Sequence, residues 1–286
     1  MAKTEGFEAK AGLNIDLIVS TQPLTPLLSD SADISLITGS LAITGAQAGY
    51  AIKVAGVMTD AQWSYTVASD KISVPAHSWP ATFEALKGTI AGTTVLGGGE
   101  DQEFRAAMLL AGAGNDFQDE SLGTAGAEEV GVDAGTVDSV TIPQPVYYAA
   151  TLPGAGAKQV FNFVTDAAPA ALKAPSNVVV VAAPFAVSDN STVKAFMGML
   201  VQTEAFMKQK KNFAKVEAIA ETSILPGASK AELASTLSAI PYLYNSVCWT
   251  QGDFNDAHTL LKDIGLLTTP VSYSQLLDTG GQEKGC

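Results

Sequence analysis

Short apolar runs alternate with helical patterns through the first half of the chain, and this alternation most restricts what it can fold into. "LNIDLIV" (13–19) alternates apolar and polar residues as a half-buried strand does, and "ADISLITG" (32–39) repeats the pattern. "GSLAITGAQAGYA" then reads as a small-residue helix and "YAIKVAGVM" as the next strand. Strand, helix, strand predicts an α/β fold with mainly parallel sheets flanked by helices. The order restarts after the loop-like "SDKISVPAHSWP": a short helix in "ATFEALKGT", a strand entering a glycine turn in "IAGTTVLGGG", and a helix in "EDQEFRAAMLLAGAG". "VDSVTI" is a further short strand. The fragments "SADISLITG" and "GTVDSVTIPQ" end the two stretches alike, which fits two lobes of related build.

Beyond the apolar run "NVVVVAAPFAV" (177–187) the pattern becomes wholly helical. "DNSTVKAFMGMLVQTEAFMKQ", "SKAELASTLSAI" and "DFNDAHTLLKDIGLL" each pair a polar cap candidate with apolar residues at helical spacing. The order strand-rich, strand-rich, helix-rich is what a chain produces when it returns to its first lobe.

Charge and composition exclude several functions. The 286 residues suffice for two domains with a sizeable core. No apolar run approaches the roughly 20 residues of a membrane span, and "MAKTEGFEAK" lacks the basic-then-apolar order of an export signal. A net charge of −13 and a pI near 4.5 oppose nucleic-acid binding, which needs clustered Lys and Arg. Arg105 is the only arginine, so a single side chain can grip an anion bidentately, and a heavily anionic ligand is disfavoured. Cys248 and Cys286 form no metal-ligand pattern; a clamp on the tail "TGGQEKGC" and two free thiols both remain open. No nucleophile with base and orienter, paired metal ligands or nucleotide loop occurs, so no catalytic residue, metal site or cofactor is expected. His77 and His258 are expected in surface or packing roles.

Several fragments together resemble one family, the type 2 periplasmic substrate-binding proteins of ABC importers, in the branch serving nitrate, sulfonates, taurine and thiamine-precursor pyrimidines. "AKTEGFEAKAGLNIDLIV" resembles that branch's first helix and second strand, and "LLSDSADISLITGS" its small residue, acid and strand ending near ligand. "FEALKGTIAGTTVLGGGEDQEFRAAMLLAGAG" resembles the strand, glycine turn and helix of its second lobe. "AGTVDSVTIPQP" resembles its "GxVDA" segment, and "AFMGMLVQTEAFMKQ" its return helix. The order and spacing over most of the chain carry the resemblance, since each fragment alone is unspecific. The family has a first strand before the opening helix, and an export signal or lipobox before that. This chain opens at the helix, and trimming is the expected reason, because loss of a central strand would leave unpaired backbone groups.

The resemblance implies two lobes joined by crossovers near "WSYTVASDK" and "NVVVVAAP", with a ligand cleft between the lobes. Residues 1–85 and 181–286 would build lobe one, and 86–180 lobe two. It implies a monomeric receptor, periplasmic or extracellular and membrane-associated through the permease or a lost lipid anchor. Such a receptor closes on a small-molecule ligand and delivers it to an ABC permease. The alternatives are an enzyme on the same fold, similar to thiamine-pyrimidine synthases, or a ligand-sensing domain.

Open sheets bind ligands beyond the carboxyl ends of their parallel strands, where loops lead into helix N-termini. That rule selects Gly39 and Ser40 after "DISLIT", Gly97, Gly98, Gly99 and Glu100 after "TTVL", and Pro143 and Gln144 after "DSVTI". Trp63 and Tyr65 on the first crossover could stack on a ring. Three consecutive glycines let a backbone approach a ligand closely. The acids that follow, Glu100, Asp101 and Glu103, suit a first helical turn but oppose an anion there. Arg105 is placed to pair with Asp101 at i, i+4. A neutral or cationic ring compound is therefore expected over an inorganic anion.

Overall fold

The computed structural model describes residues 1–18, 20, 22–60, 64–143, 155–173, 177–223, 230–244, 246–281 and 286. They form two compact units: unit 1 comprises residues 1–61, 174–228 and 240–286, and unit 2 comprises 62–173 and 229–239.

Unit 1 begins with α1 (Phe7–Lys10), α2 (Leu24–Leu28), β1 (Ile34–Thr38), α3 (Gly39–Gln47) and β2 (Ile52–Thr59). Unit 2 carries β3 (Ser64–Ser69), α4 (Ala81–Glu84), β4 (Ile90–Thr93), α5 (Gly99–Leu110), β5 (Gln118–Ser121), α6 (Ala125–Ala134), β6 (Ser139–Pro143) and β7 (Ala157–Asn162). The chain returns to unit 1 through β8 (Asn177–Ala182) and continues into α7 (Ala183–Ser188), α8 (Asn190–Met207) and α9 (Phe213–Ser223). It continues into α10 (Lys230–Leu243), most of which groups with unit 2, and ends in unit 1 with α11 (Gln251–Asp263) and α12 (Tyr273–Leu276).

In unit 1 the sheet order is β1-β8-β2, and β8 runs antiparallel to both neighbours. The β1-α3-β2 crossover leaves a gap one strand wide, and the returning chain fills it from the opposite direction. The expected mainly parallel sheet is corrected here: a helix between two strands shows that they run alike, not that they are neighbours. After Asn177, β8 is apolar to its end because both its faces are covered. Val178 and Val180 pack with Ile43, Phe254 and Leu261, whereas Val179 and Val181 pack with Ala55, Val193 and Met197. Each of these four valines is fully buried, worth about 1.5–3 kcal/mol relative to exposure. Beside them, at Gly56, an added Cβ would lie 2.3 Å from Met197 Cε and 2.6 Å from the Val247 carbonyl, so close packing demands glycine there.

The sheet of unit 2 has the order β5-β4-β6-β3-β7. β4 is parallel to β5 and β6, and β3 is antiparallel to β6 and β7, so this sheet is mixed. One face carries an aromatic cluster in which Phe83 meets Phe161 at 5.1 Å, Phe163 at 5.9 Å and Phe104 at 6.2 Å between ring centroids. Because β3 joins β6 to β7, residues 62–85 group with unit 2 and not with the first lobe as expected; β8 likewise lies wholly in unit 1.

The expected strand at 13–19 does not form over its described part. Residues 13–18 pair with no strand, and Leu17 and Ile18 are 83% and 54% exposed. Alternation predicts a strand only where another edge is within reach, and here the segment's amides turn back to α1, with Ile15 N–H donating to Glu8 Oε1 at 2.8 Å. Among the described residues, no helix is long and apolar enough to cross a membrane.

The open question of the cysteines resolves as a disulfide, Cys248–Cys286. It ties the tail to the segment before α11. Upstream on the same tail, Asp278 N–H donates to the Val54 carbonyl of β2 at 2.9 Å, and Leu277 bridges Val54. A cross-link over a sequence separation of 38 residues restrains the unfolded chain by about 3–4 kcal/mol. Cys286→Ser is expected to lower the unfolding free energy in urea by about that amount, and reductant should match it in the parent and change the variant little.

Candidate ligand site at the glycine turn

β4 leads through the turn 94–98 into α5, and β5 leads through 122–124 into α6. The two helices cover opposite faces of the sheet. Tyr65, Val67, Val140 and Ile142 point to one face, where Val132 of α6 packs on them. Ser64 and Thr141 alternate to the other face, where Ser64 Oγ donates to Glu103 of α5. Two adjacent parallel strands whose following helices part to opposite faces form a switch point, and the crevice beyond their carboxyl ends is where such sheets bind ligands. The glycine turn and the first turns of α5 and α6 lie at that end of the sheet.

The turn is held by its own side chains. Gly97, at φ 76°, takes the left-handed conformation that favours glycine, and its N–H donates to Asp101 Oδ2 at 2.6 Å. Gly98 N–H donates to the Val95 carbonyl at 2.9 Å, and Gln102 Nε2 donates to the Gly97 carbonyl at 2.9 Å. Asp101 also accepts from Arg105 Nε at 2.9 Å, the expected i, i+4 pair, while Arg105 Nη2 reaches Asp119 on β5. The Arg105 guanidinium lies 5.4 Å from the centroid of Phe117. The one arginine is thereby committed to two carboxylates.

Two further acids meet at Thr94. Burial raises the Glu100 carboxyl above the usual glutamate range, opposed by hydrogen bonds from its own backbone N–H and from Thr94. Glu128, in the first turns of α6, is wholly buried, and neither carboxylate oxygen has a hydrogen-bond partner of normal geometry. Burial first, and then the charge of Glu100, push it up to about 8, and the Thr94 backbone offsets only part of this. On β5, burial raises Asp119, with Arg105 opposing. The acids beside the glycines thus divide in two: Asp101 and Glu103 brace the turn and the sheet, whereas Glu100 lies near enough to Glu128 for its charge to raise that carboxyl.

The other expected site residues fall as follows. Pro143 ends β6, which is parallel to β4, so it lies at the same end of the sheet as the glycine turn. Tyr65 is 3% exposed within the core under α6, which removes it as a stacking platform. In unit 1, Gly39 is buried and Ser40 exchanges a 3.0 Å hydroxyl contact with Thr38. Thr38, and not Ser40, caps α3 by accepting from Leu41 N–H at 3.2 Å. Trp63 and Gln144 lie outside the described residues. His77 Nδ1 sits 2.8 Å from Asp166 Oδ2, and His258 packs on Phe254 at 5.3 Å, both in the expected structural roles. Glu128 was missed by sequence reasoning. Its signal is an acid among small and apolar residues in "AGAEEVGV", ambiguous because the neighbouring Glu129 is an equally good candidate in sequence.

No family model and no curated protein matches the chain in sequence. Solved structures do match it in shape. The periplasmic aliphatic sulphonate binding protein SsuA of Escherichia coli superposes with a TM-score of 0.75 at 17% identity, over 99% of this chain and 89% of that one. The Candida albicans CA3427 product, described as having the generic periplasmic binding protein fold, gives 0.72 at 13% identity, over 99% and 90%. The periplasmic nitrate-binding protein NrtA of Synechocystis gives 0.68 at 14% identity, over 96% and 79%. The fold of this chain is that of the periplasmic binding proteins.

The folded chain holds the Glu128 proton up to about pH 8, whereas the unfolded chain releases it near the ordinary value of 4.5. Between those values the unfolded state binds fewer protons, so this group's stabilising contribution is full below pH 4.5 and is lost as pH rises towards 8. Glu204 in unit 1, pushed up to about 7 chiefly by burial, acts in the same direction. Glu128→Gln is expected to be more stable than the parent at pH 8, on the order of a few kcal/mol. Thermal unfolding from pH 5 to pH 8 should show a smaller loss in the variant.

Proposed function

We propose that this protein is a solute-binding receptor that captures a small organic ligand and presents it to an ABC permease. The observation that carries the proposal is the fold correspondence along nearly the whole chain with SsuA and NrtA, which bind a sulphonate and nitrate respectively. The disulfide adds support for an oxidising location, periplasmic or extracellular. Ligand contact with both units would stabilise a closed arrangement over an open one, and only such a differential contact drives closure. Gly39, Ser40, Gly97, Gly98, Gly99, Glu100 and Pro143 are the proposed contacts, with no catalytic role for any of them.

The ligand is proposed to be a neutral or cationic ring compound. In the glycine turn the Gly97 and Gly98 N–H groups already serve Asp101 and Val95, and Glu100 takes its own, which leaves few donors for an oxyanion. A thermal-shift panel of pyrimidines, aromatic acids, alkanesulfonates, taurine and nitrate tests both statements. A ring compound at 100 times its dissociation constant should stabilise the protein by about 2.7 kcal/mol. Stabilisation by taurine or nitrate alone would keep the receptor and reverse the ligand ranking, and a panel without any stabilising compound would count against the receptor itself.

A further inference from the structure

We propose that Glu128 and Glu100 form a carboxylate pair that receives the cationic nitrogen of a ligand, an ammonium or amidinium group, beyond the carboxyl ends of β4 and β5. The inference rests on the receptor function above and goes beyond it by naming the charge and donor chemistry of the ligand and a residue, Glu128, outside the expected contacts.

Place comes first. Glu100 lies in the first turn of α5 and Glu128 near the start of α6, the two helices that leave the switch point on opposite faces of the sheet. Both meet the same residue, Thr94, between the end of β4 and the glycine turn. Vacant bonding capacity is the second point. Glu128 is 0% exposed, yet beyond the weak approach of the Thr94 backbone neither carboxylate oxygen has a hydrogen-bond partner of normal geometry. Buried polar groups are nearly always hydrogen-bonded, because leaving one unmade costs about 1–3 kcal/mol and more when charged. A ligand that brings two N–H donors and a positive charge would satisfy both oxygens.

The surroundings exclude the opposite charge. The two helix N-termini supply about +0.5 each; an approaching cation would draw the proton from Glu128, and the two carboxylates then ionised would outweigh the helix ends. The arginine that could have reversed this balance is held by Asp101 and Asp119. Leu96 on the same turn is 52% exposed and offers an apolar surface to the ring that carries the cationic group.

The test uses the full chain with its disulfide intact and three probes that share a ring: benzamidine as the amidinium, benzyl alcohol as the neutral form and benzenesulfonate as the anion. Isothermal titration should show saturable binding of benzamidine and at least tenfold weaker binding of the other two. Glu128→Gln, which keeps the shape of the side chain, should weaken benzamidine at least tenfold. Glu100→Gln should weaken it by a smaller, measurable factor, and Glu84→Gln, at an exposed acid of α4, should leave it unchanged. Unchanged affinity in both Glu128→Gln and Glu100→Gln would overturn the pair as the site. Preference for benzenesulfonate would overturn the cation class while the receptor function stood, and silence from all three probes would overturn the inference, with the wider ligand panel judging the receptor separately.

Discussion

The returning strand β8 is the constraint on which unit 1 depends. β1 and β2 run in the same direction and do not touch, so their facing edges stay unpaired until residues 177–182 arrive between them. Every backbone group on those edges needs a partner, and β8 supplies partners on both sides at once. The same strand divides the core: its odd and even valines face separate apolar clusters. Unit 1 therefore cannot be completed until the chain has passed through unit 2. The tail then fastens what the return has built, through Asp278 on Val54 and the disulfide at Cys248.

At the glycine turn the deciding interaction is the Asp101 carboxylate, which bonds Gly97 N–H on one side and Arg105 on the other. A glycine-rich turn at a helix start ordinarily offers its amides and the positive end of the helix to an anion. Here an internal carboxylate already occupies that position and has its own counter-ion. The turn keeps the shape of an anion loop while its donors are used within the chain. Strand-to-helix geometry and charge preference are thus separable properties, and only the first is shared by every loop of this form.

Much of the fold was legible in the sequence, for physical reasons that also mark where legibility ended. β1, α3, β2, β4, α5, β6 and the run of late helices follow from apolar spacing, glycine turns and caps, all local properties. Strand direction did not follow, because β8's neighbours lie more than a hundred residues away and an apolar run looks the same in either direction. The strand expected at 13–19 shows the same limit, since alternation describes a side-chain pattern and says nothing of whether an edge is present to pair with it. β5, "QDES", was invisible because an exposed edge strand carries no apolar pattern. At the site, the pairing of Asp101 with Arg105 was legible as an i, i+4 spacing. The meeting of Glu100 with Glu128 was not, since it depends on two helices that begin after adjacent strands.

An unpaired carboxyl group inside a protein is an expense that most sequences would lose, since a glutamine or an apolar residue at position 128 would relieve the burial that pushes Glu128 up to about 8. Such a group is tolerated where another gain offsets the lost stability, and binding sites are the usual place, because their groups are arranged for a partner that is absent from the free protein. The proposed cationic ligand supplies that gain in a definite form. It would return Glu128 to its ionised state, satisfy both oxygens and cancel the repulsion from Glu100. The same burial that destabilises the empty site would then strengthen the bound one, because an ion pair gains in attraction as water is excluded. Stability and affinity at this position would therefore be opposed, with the cost borne by the free protein and the benefit appearing only in the complex.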